Sequence, residues 1–390
     1  MTFLKTTTAG ALCALCTTPA LAQEVLDLDT ITVTANQTAT DLERSGSTVE
    51  VIDAGEVRAS PRARIADRLT FEPGISASAN GPLGTTATLR IRGLGGAYVP
   101  VLIDGIDVTD PASSGGGFDF GGLTNAGLGR IEVLKGSQSA RFGLNAVGGV
   151  INIESLRPTE DGVHGFVEAE AGSFDTRRGV LGLTARTDRT DLAFTISRIE
   201  TDGFSASAFG TENDGHEATQ ANLYARHQVT DVFAAGLTAL YIDSRSEFDE
   251  FGGDGPPPFD EFNKREVTGL RLFSELQTGP VSHELSLSTF ETDRISFSNG
   301  TGDRFKGRAS ASSIAAVTIR AASGRSISAA TIPRKRISPN PSTSPGFRPS
   351  FCWHPCGRSI WHFLCAMTIT RSFPANCRRA PPSHGGYRRT

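Results

Sequence analysis

The chain has 390 residues, a formal net charge of −4 and 38% hydrophobic residues, with 43 Gly, 23 Phe and 6 Cys. This composition excludes a disulfide-stapled miniprotein, a collagen and an acidic disordered tail, and leaves room for more than one domain. No run of ~18 apolar residues occurs, which argues against membrane-spanning helices but not against a β-barrel, whose strands alternate.

Residues 1–22 read as an export signal. Lys5 precedes a short apolar stretch, Ala9 to Cys16, and Pro19-Ala20-Leu21-Ala22 sets small residues at −3 and −1 of a cut after Ala22. The Thr-Thr-Pro break disfavours a buried N-terminal helix, and Ala14-Leu15 fits poorly before a lipidated Cys16. Cys13 and Cys16 would leave with the signal. Residues 23–308 contain no cysteine, so no disulfide framework supports the exported part.

Residues 23–45 form a polar, Thr-rich linker with one β-prone stretch, Leu28 to Ala35. Such a stretch either adds itself to a partner's open sheet edge or serves as an ordinary first strand. Residues 46–158 read as a small mixed α/β domain. Thr48 to Ile52 alternates as a strand, Ala54 to Asp67 forms helical turns, and Pro73-Gly74 ends the next one. Leu89 to Gly95, Val99 to Ile103, Arg130 to Gly136 and Gly148 to Ile153 are further strands, with a turn at Asp104-Gly105. Gly93, Gly95 and Gly96 resemble part of a nucleotide fingerprint, but the strand–turn–helix context is missing. Glycine in such turns serves positive φ and close backbone approach.

Four segments in order carry a specific resemblance: DTITVTA at Asp29 to Ala35, IADRLTFEPGISAS at Ile65 to Ser78, LRIRGLGGAYVPVLIDGIDVTDP at Leu89 to Pro111, and RIEVLKGSQSARFGLNAVGGVINI at Arg130 to Ile153. Together they resemble the plug domain of TonB-dependent outer-membrane receptors, most closely the cobalamin-receptor subgroup. The resemblance implies that Asp29, Thr30, Ile31, Thr32, Val33, Thr34 and Ala35 form a box captured by a TonB-type energy-coupling protein. It further implies a polar plug surface, with Arg90, Arg92, Glu132 and Lys135 meeting the charged barrel wall; the plain alternative is solvated or locally paired charge. The chain departs from the family at Ser139 to Gly143, where a Leu-Tyr pair usually precedes the glycine, and in the long Gly-rich loop Asp110 to Gly122.

From residue 162 the pattern becomes two-residue alternation. Leu192, Phe194 and Ile196 share one face, with Ala193, Thr195 and Ser197 on the other; Phe233, Ala235, Leu237, Ala239 and Tyr241 form a second such face. Short polar turns separate about seven strands up to residue 308, as in an outer-membrane barrel or a soluble β-sandwich. After a plug the barrel is the expected reading. The loop Ser244 to Asn263 holds Glu247, Asp249, Glu250 and Asp254. Oxygen-rich loops can bind calcium, and the resembled receptors use it, but the regular ligand spacing of a calcium loop is absent, and a solvated acidic loop is the favoured reading. No other cofactor is implied.

Plugged transporters of this kind have about 22 strands, each needing ~9–11 residues to cross. Residues 162–308 therefore supply the N-terminal part of an incomplete barrel. The composition then breaks. Residues 1–308 carry −16, whereas 309–390 have no acidic residue and carry +12, with both Trp, four of six Cys and nine of 20 Pro. The expectation is an aberrant basic tail without regular structure, out of frame from near Arg308. A nucleic-acid- or lipid-binding tail is the competing idea. A zinc site from Cys352, His354, Cys356, His362 and Cys365 lacks the paired finger spacing.

The fold expected is an α+β plug followed by antiparallel transmembrane β-barrel strands of an incomplete barrel. The function expected is energy-coupled import of a scarce chelate across the outer membrane, with cobalamin or a related corrinoid favoured and a ferric siderophore as the alternative. The partners are then a TonB-type protein, outer-membrane lipid and the chelate, without nucleic acid. A passive receptor or adhesin is the alternative. No nucleophile–base constellation or phosphate loop points to an enzyme. For the 390-residue chain itself, which lacks most of such a barrel, the expectation is a truncated or frameshifted copy without activity.

Overall fold

The computed structural model describes residues 31–32, 40–41, 47–60, 62–113, 115–249, 261–279, 281–298, 301–318 and 334–339. Two short pieces come first: β1 (Ile31–Thr32) pairs antiparallel with β2 (Thr40–Asp41).

Apolar alternation then builds the plug. β3 (Thr48–Ile52) leads into α1 (Ala54–Ala59), whose N-terminus is capped by Asp53, its Oδ1 accepting from Glu56 N at 2.9 Å. The helical stretch expected over Ala54 to Asp67 is divided. Ser60 is extended, as a residue before proline tends to be, and α2 (Ile65–Leu69) starts afresh. β4 (Ile75–Ala79), β5 (Ala87–Ile91) and β6 (Leu94–Gly95) form a three-stranded antiparallel sheet. β7 (Val101–Ile103), β8 (Ile106–Asp107), β9 (Leu128–Lys135), α3 (Ser139–Phe142) and β10 (Gly149–Ser155) complete the domain. The larger plug sheet has the order β3-β9-β10-β7-β8, with β10 and β7 parallel. Val57, Ile65, Leu69, Ile91, Ile103, Ile131, Ile151 and Ile153 are buried in one core between these elements.

The remaining strands form one antiparallel sheet in chain order: β11 (Gly162–Ala171), β12 (Arg177–Arg186), β13 (Thr190–Thr201), β14 (His216–Thr230), β15 (Phe233–Glu247), β16 (Phe262–Thr278), β17 (Val281–Ser298), β18 (Thr301–Thr318) and β19 (Arg334–Pro339). On β13, Ala193, Thr195 and Ser197 are buried, while Leu192 and Ile196 are exposed. Leu181, Leu183, Leu223, Leu270, Leu272, Leu285 and Leu287 are also exposed on neighbouring strands. Small and polar residues thus face the plug and an apolar band faces outward, as a lipid-facing wall requires. The inner face is not uniformly polar. Leu240, Ile242, Val267 and Phe290 join the plug core, because the hairpin β7–β8 packs against β16 and β17 there.

The sheet begins at β11 and ends at β19, so the described strands do not close on themselves. Seven of these strands, β11 to β17, lie before residue 300. β18 runs through Arg308, pairing with β17 as far as Thr318, and β19 pairs with β18 from within the basic stretch. The other residues of 309–390, including the Cys/His cluster at Cys352 to Cys365, lie outside the described residues, as does the signal segment.

Candidate ligand site between plug and wall

A cavity of about 440 Å³ lies where the plug turns near Thr85 and Asp119 face the inner surfaces of β15, β16 and β17. Its wall side is a ladder of three polar residues and one phenylalanine in register. Ser244 stands opposite Arg265, which stands opposite Arg294, which stands opposite Phe305. Strand alternation puts the inward residues of adjacent strands side by side, which is how four distant segments make one layer. Arg265 and Arg294 reach towards the plug. Arg265 Nη1 lies 3.7 Å from Asp119 Oδ2, and Arg294 Nη1 lies 3.8 Å from Asp110 Oδ2. The Arg265 guanidinium also lies over the Phe118 ring, and that of Arg294 over Phe305.

Lower on the wall a second set of contacts holds the turn Asp104-Gly105. The Asp104 carbonyl oxygen accepts from Thr238 Oγ1 at 3.4 Å and Arg271 Nη1 at 3.5 Å. Arg157, paired with the Asp104 carboxylate at 2.5 Å, lies 3.8 Å from the centre of the Tyr224 ring on β14. Arg178 of β12 hydrogen-bonds the plug's Asn125, and Arg58 of α1 faces Glu168 of β11 at 3.9 Å.

A third contact is steric. His216 is buried, its Nδ1 2.9 Å from Ser246 Oγ, with its ring against the plug glycines Gly84 and Gly122. Gly84 has φ +95°, and a Cβ there would lie 2.2 Å from His216 Nδ1. Gly84→Val is expected to lower the unfolding free energy by about 1–3 kcal/mol through strain and overlap. A denaturant midpoint indistinguishable from wild type would show that the turn does not need to sit so close.

The four residues expected at the plug–wall boundary take their hydrogen-bond and ion-pair partners from the plug itself, Arg90 and Arg92 on its surface and Glu132 and Lys135 in its interior. Arg90 Nη1 donates to Ser78 Oγ at 2.9 Å, and Arg92 Nη2 to Thr48 Oγ1 at 3.4 Å. Glu132 is fully buried and pairs with Arg130 at 2.9 Å. Lys135 Nζ donates to Glu50 at 2.7 Å and to the Pro73 carbonyl at 2.6 Å. β9 is paired on both edges, by β3 and β10, and its residues from Ile131 to Lys135 are all buried, so its charges find partners within the domain. Of the expected box, Ile31 and Thr32 are the strand β1; Asp29, Thr30, Val33, Thr34 and Ala35 lie outside the described residues.

Glu247 and Asp249 of the acidic loop brace the connection between β13 and β14. Glu247 Oε2 accepts from Gly215 N at 3.0 Å, and Asp249 Oδ2 accepts from Ser205 Oγ at 2.8 Å and Ser207 N at 2.7 Å. Glu250 and Asp254 lie outside the described residues. Among the described residues no three His, Cys, Asp or Glu side chains gather as a metal ion requires.

Asp214, in the same connection, is 1% exposed. Burial pushes its carboxyl up to about 6, the hydrogen bond from Ala206 N opposes this, and neighbouring Asp249 and Glu247 add to it. A carboxyl raised in the folded state contributes stability that is complete below its ordinary value of 3.8 and is lost as pH rises through about 6. Proteolysis within residues 203–215 is therefore expected to quicken between pH 5 and pH 7, and Asp214→Asn is expected to flatten that dependence. An unchanged pH profile in the variant would assign the effect elsewhere.

A mixed plug seated against a curved antiparallel wall, apolar outside and polar inside, is the fold of the TonB-dependent receptors, which are outer-membrane β-barrel proteins. Residues 41–150 match the TonB-dependent Receptor Plug Domain. The chain is similar to two vitamin B12 transporters BtuB of Vibrio vulnificus. One, from strain CMCP6, is 31% identical over 245 residues, spanning 59% of this chain and 38% of the transporter. The other, from strain YJ016, is 25% identical over 238 residues, spanning 60% and 38%. The siderophore receptor PirA of Acinetobacter baumannii shares the fold with a TM-score of 0.57 at 18% identity, over 70% of this chain and 45% of that one. The chain thus spans less than half the length of these relatives, which are transporters and receptors rather than enzymes.

Proposed function

We propose that these residues are the plug and first wall strands of an energy-coupled importer of a scarce chelate, with a corrinoid as the favoured cargo. The carrying observation is the cavity itself. One side is plug and the other is wall, so a ligand seated there bears on both, and plug movement follows from its binding. The similarity to vitamin B12 transporters supports the choice of cargo. In this reading residues 1–22 direct export, the cavity opens outward, and a TonB-type protein takes the segment Asp29 to Ala35 as an added strand.

The second reading, a ferric siderophore receptor, is favoured by the paired arginines of the cavity and by the fold neighbours. A chimera decides between them: residues 1–318 joined to the remaining barrel strands of the Vibrio vulnificus transporter, in a Gram-negative host lacking its own corrinoid receptor. The expected result is uptake of labelled cyanocobalamin that vanishes without the host's TonB. Uptake of ferric siderophores but not cyanocobalamin would establish the second reading, and TonB-independent uptake would make the receptor passive.

A further inference from the structure

Arg265 and Arg294 are direct cross-strand partners on β16 and β17, and both line the cavity. Like charges placed directly opposite one another on a sheet face destabilise it. The compensation available is loose. Each guanidinium stands 3.7 or 3.8 Å from a plug carboxylate, beyond the ~2.7–3.2 Å of an N–H···O hydrogen bond. Other pairs in the molecule close to 2.7 or 2.8 Å, as for Lys135 with Glu50 and Arg226 with Glu275, although Arg58 and Glu168 stand as far apart as these two. Arg265 Nε is buried and makes no hydrogen bond.

The two carboxylates divide their oxygens in the same way. Asp119 Oδ1 accepts from Ala87 N and Gly121 N, each at 2.9 Å, and only Oδ2 faces Arg265. Asp110 Oδ1 accepts from Ala112 N at 2.8 Å, and Oδ2 faces Arg294. Each aspartate is fixed to its own loop by one oxygen and leans on the wall with the other, so the wall contact can be lost without unfolding the loop.

We propose that Arg265 and Arg294 are an anion cradle: a carboxylate or phosphodiester of the incoming ligand displaces the carboxylates of Asp119 and Asp110 from the guanidinium groups and thereby releases two of the ties between the plug loop 110–122 and the wall. The inference rests on the import reading and adds to it the chemistry that recognises the ligand and the contact that reports its arrival. A single anion between two neighbouring arginines satisfies both and removes their repulsion, which neither aspartate does from 3.7 Å away. The cavity's remaining acid, Asp249, is held at Oδ2 by Ser205 and Ser207, and its Oδ1 is buried without a hydrogen bond.

The exchange makes two substitutions act in opposite directions. Calorimetric titration of the full 390-residue chain in detergent uses three probes: citrate as a free carboxylate, cyanocobalamin with its phosphodiester, and dicyanocobinamide, the corrinoid without it. R265Q/R294Q is expected to weaken the anionic probes about tenfold or more. D119N keeps the Oδ1 acceptor and removes the competitor, so it is expected to tighten them by several-fold. Citrate bound alone in an arginine-dependent manner keeps the cradle and removes the corrinoid. Cyanocobalamin and dicyanocobinamide bound alike, both indifferent to R265Q/R294Q, would overturn the cradle while leaving the import reading standing. D119N weakening the probes would overturn the exchange, and no binding of any probe would overturn cradle and import reading together.

Discussion

Asp104→Ala is expected to lower the unfolding free energy by about 3–5 kcal/mol, the cost of removing one partner from a buried charge pair. The residue answers several requirements of one turn. Its φ is +50° and that of Gly105 is +77°, the left-handed pair that an Asp-Gly hairpin turn between β7 and β8 demands. Its backbone N–H donates to the Ile153 carbonyl at 2.8 Å, and its Oδ1 accepts from Ser155 N at 2.8 Å and from Arg157. Alanine strains the turn, leaves the Ser155 N–H short of an acceptor, and removes the carboxylate partner of the guanidinium that lies over Tyr224. Asp104→Asn keeps both the backbone preference and an acceptor, so its cost is expected to be nearer ~1–2 kcal/mol, that of a charge-assisted bond made neutral. Guanidinium titration of both variants checks the ordering. Equal midpoints for the two variants would mean that the turn preference and the acceptor contribute nothing and the charge pair alone matters.

That turn also shows what a sequence can and cannot announce. The Asp-Gly pair between two apolar runs is a local signal, as is the alternation that separates Leu192 and Ile196 from Ala193 and Thr195. Both concern neighbours along the chain, and both correspond to what the structure contains. The partners of a strand are a different matter. Arg90, Arg92, Glu132 and Lys135 alternate with apolar residues, but alternation does not say what covers a face. In the structure Lys135 meets Glu50 and Pro73, residues 85 and 62 positions away. Contacts between plug and wall span still longer separations: 146 positions from Asp119 to Arg265, 167 from Asp104 to Arg271. Arg265 and Arg294 look like unremarkable strand arginines until register sets them side by side. His216 gave no signal at all, since its role depends on two glycines of a different domain. The only clue was that inward-facing positions on these strands are small or polar, which marks where a plug sits but not which residues hold it.

Deleting residues 29–35 from the chimera is expected to abolish uptake while leaving ligand affinity unchanged. The segment lies at the other end of the molecule's task from the cavity, and its physics is backbone physics. Ile31 and Thr32 pair with Asp41 and Thr40, a ladder of two residue pairs. Two pairs are too few for independent stability, so a partner offering a longer sheet edge can take the strand at little cost. Recognition by strand addition uses main-chain N–H and C=O groups, with side chains adding specificity. Substitutions should therefore divide by what they do to the backbone. Thr32→Ala retains the N–H and is expected to leave uptake within about twofold, whereas Thr32→Pro removes the donor and is expected to reduce it at least about tenfold. Uptake assays with labelled cyanocobalamin read all three. If proline and alanine act alike, the partner reads the Thr32 side chain rather than the strand. If the deletion changes nothing, no pulling force enters through this segment, and the cavity belongs to a passive receptor.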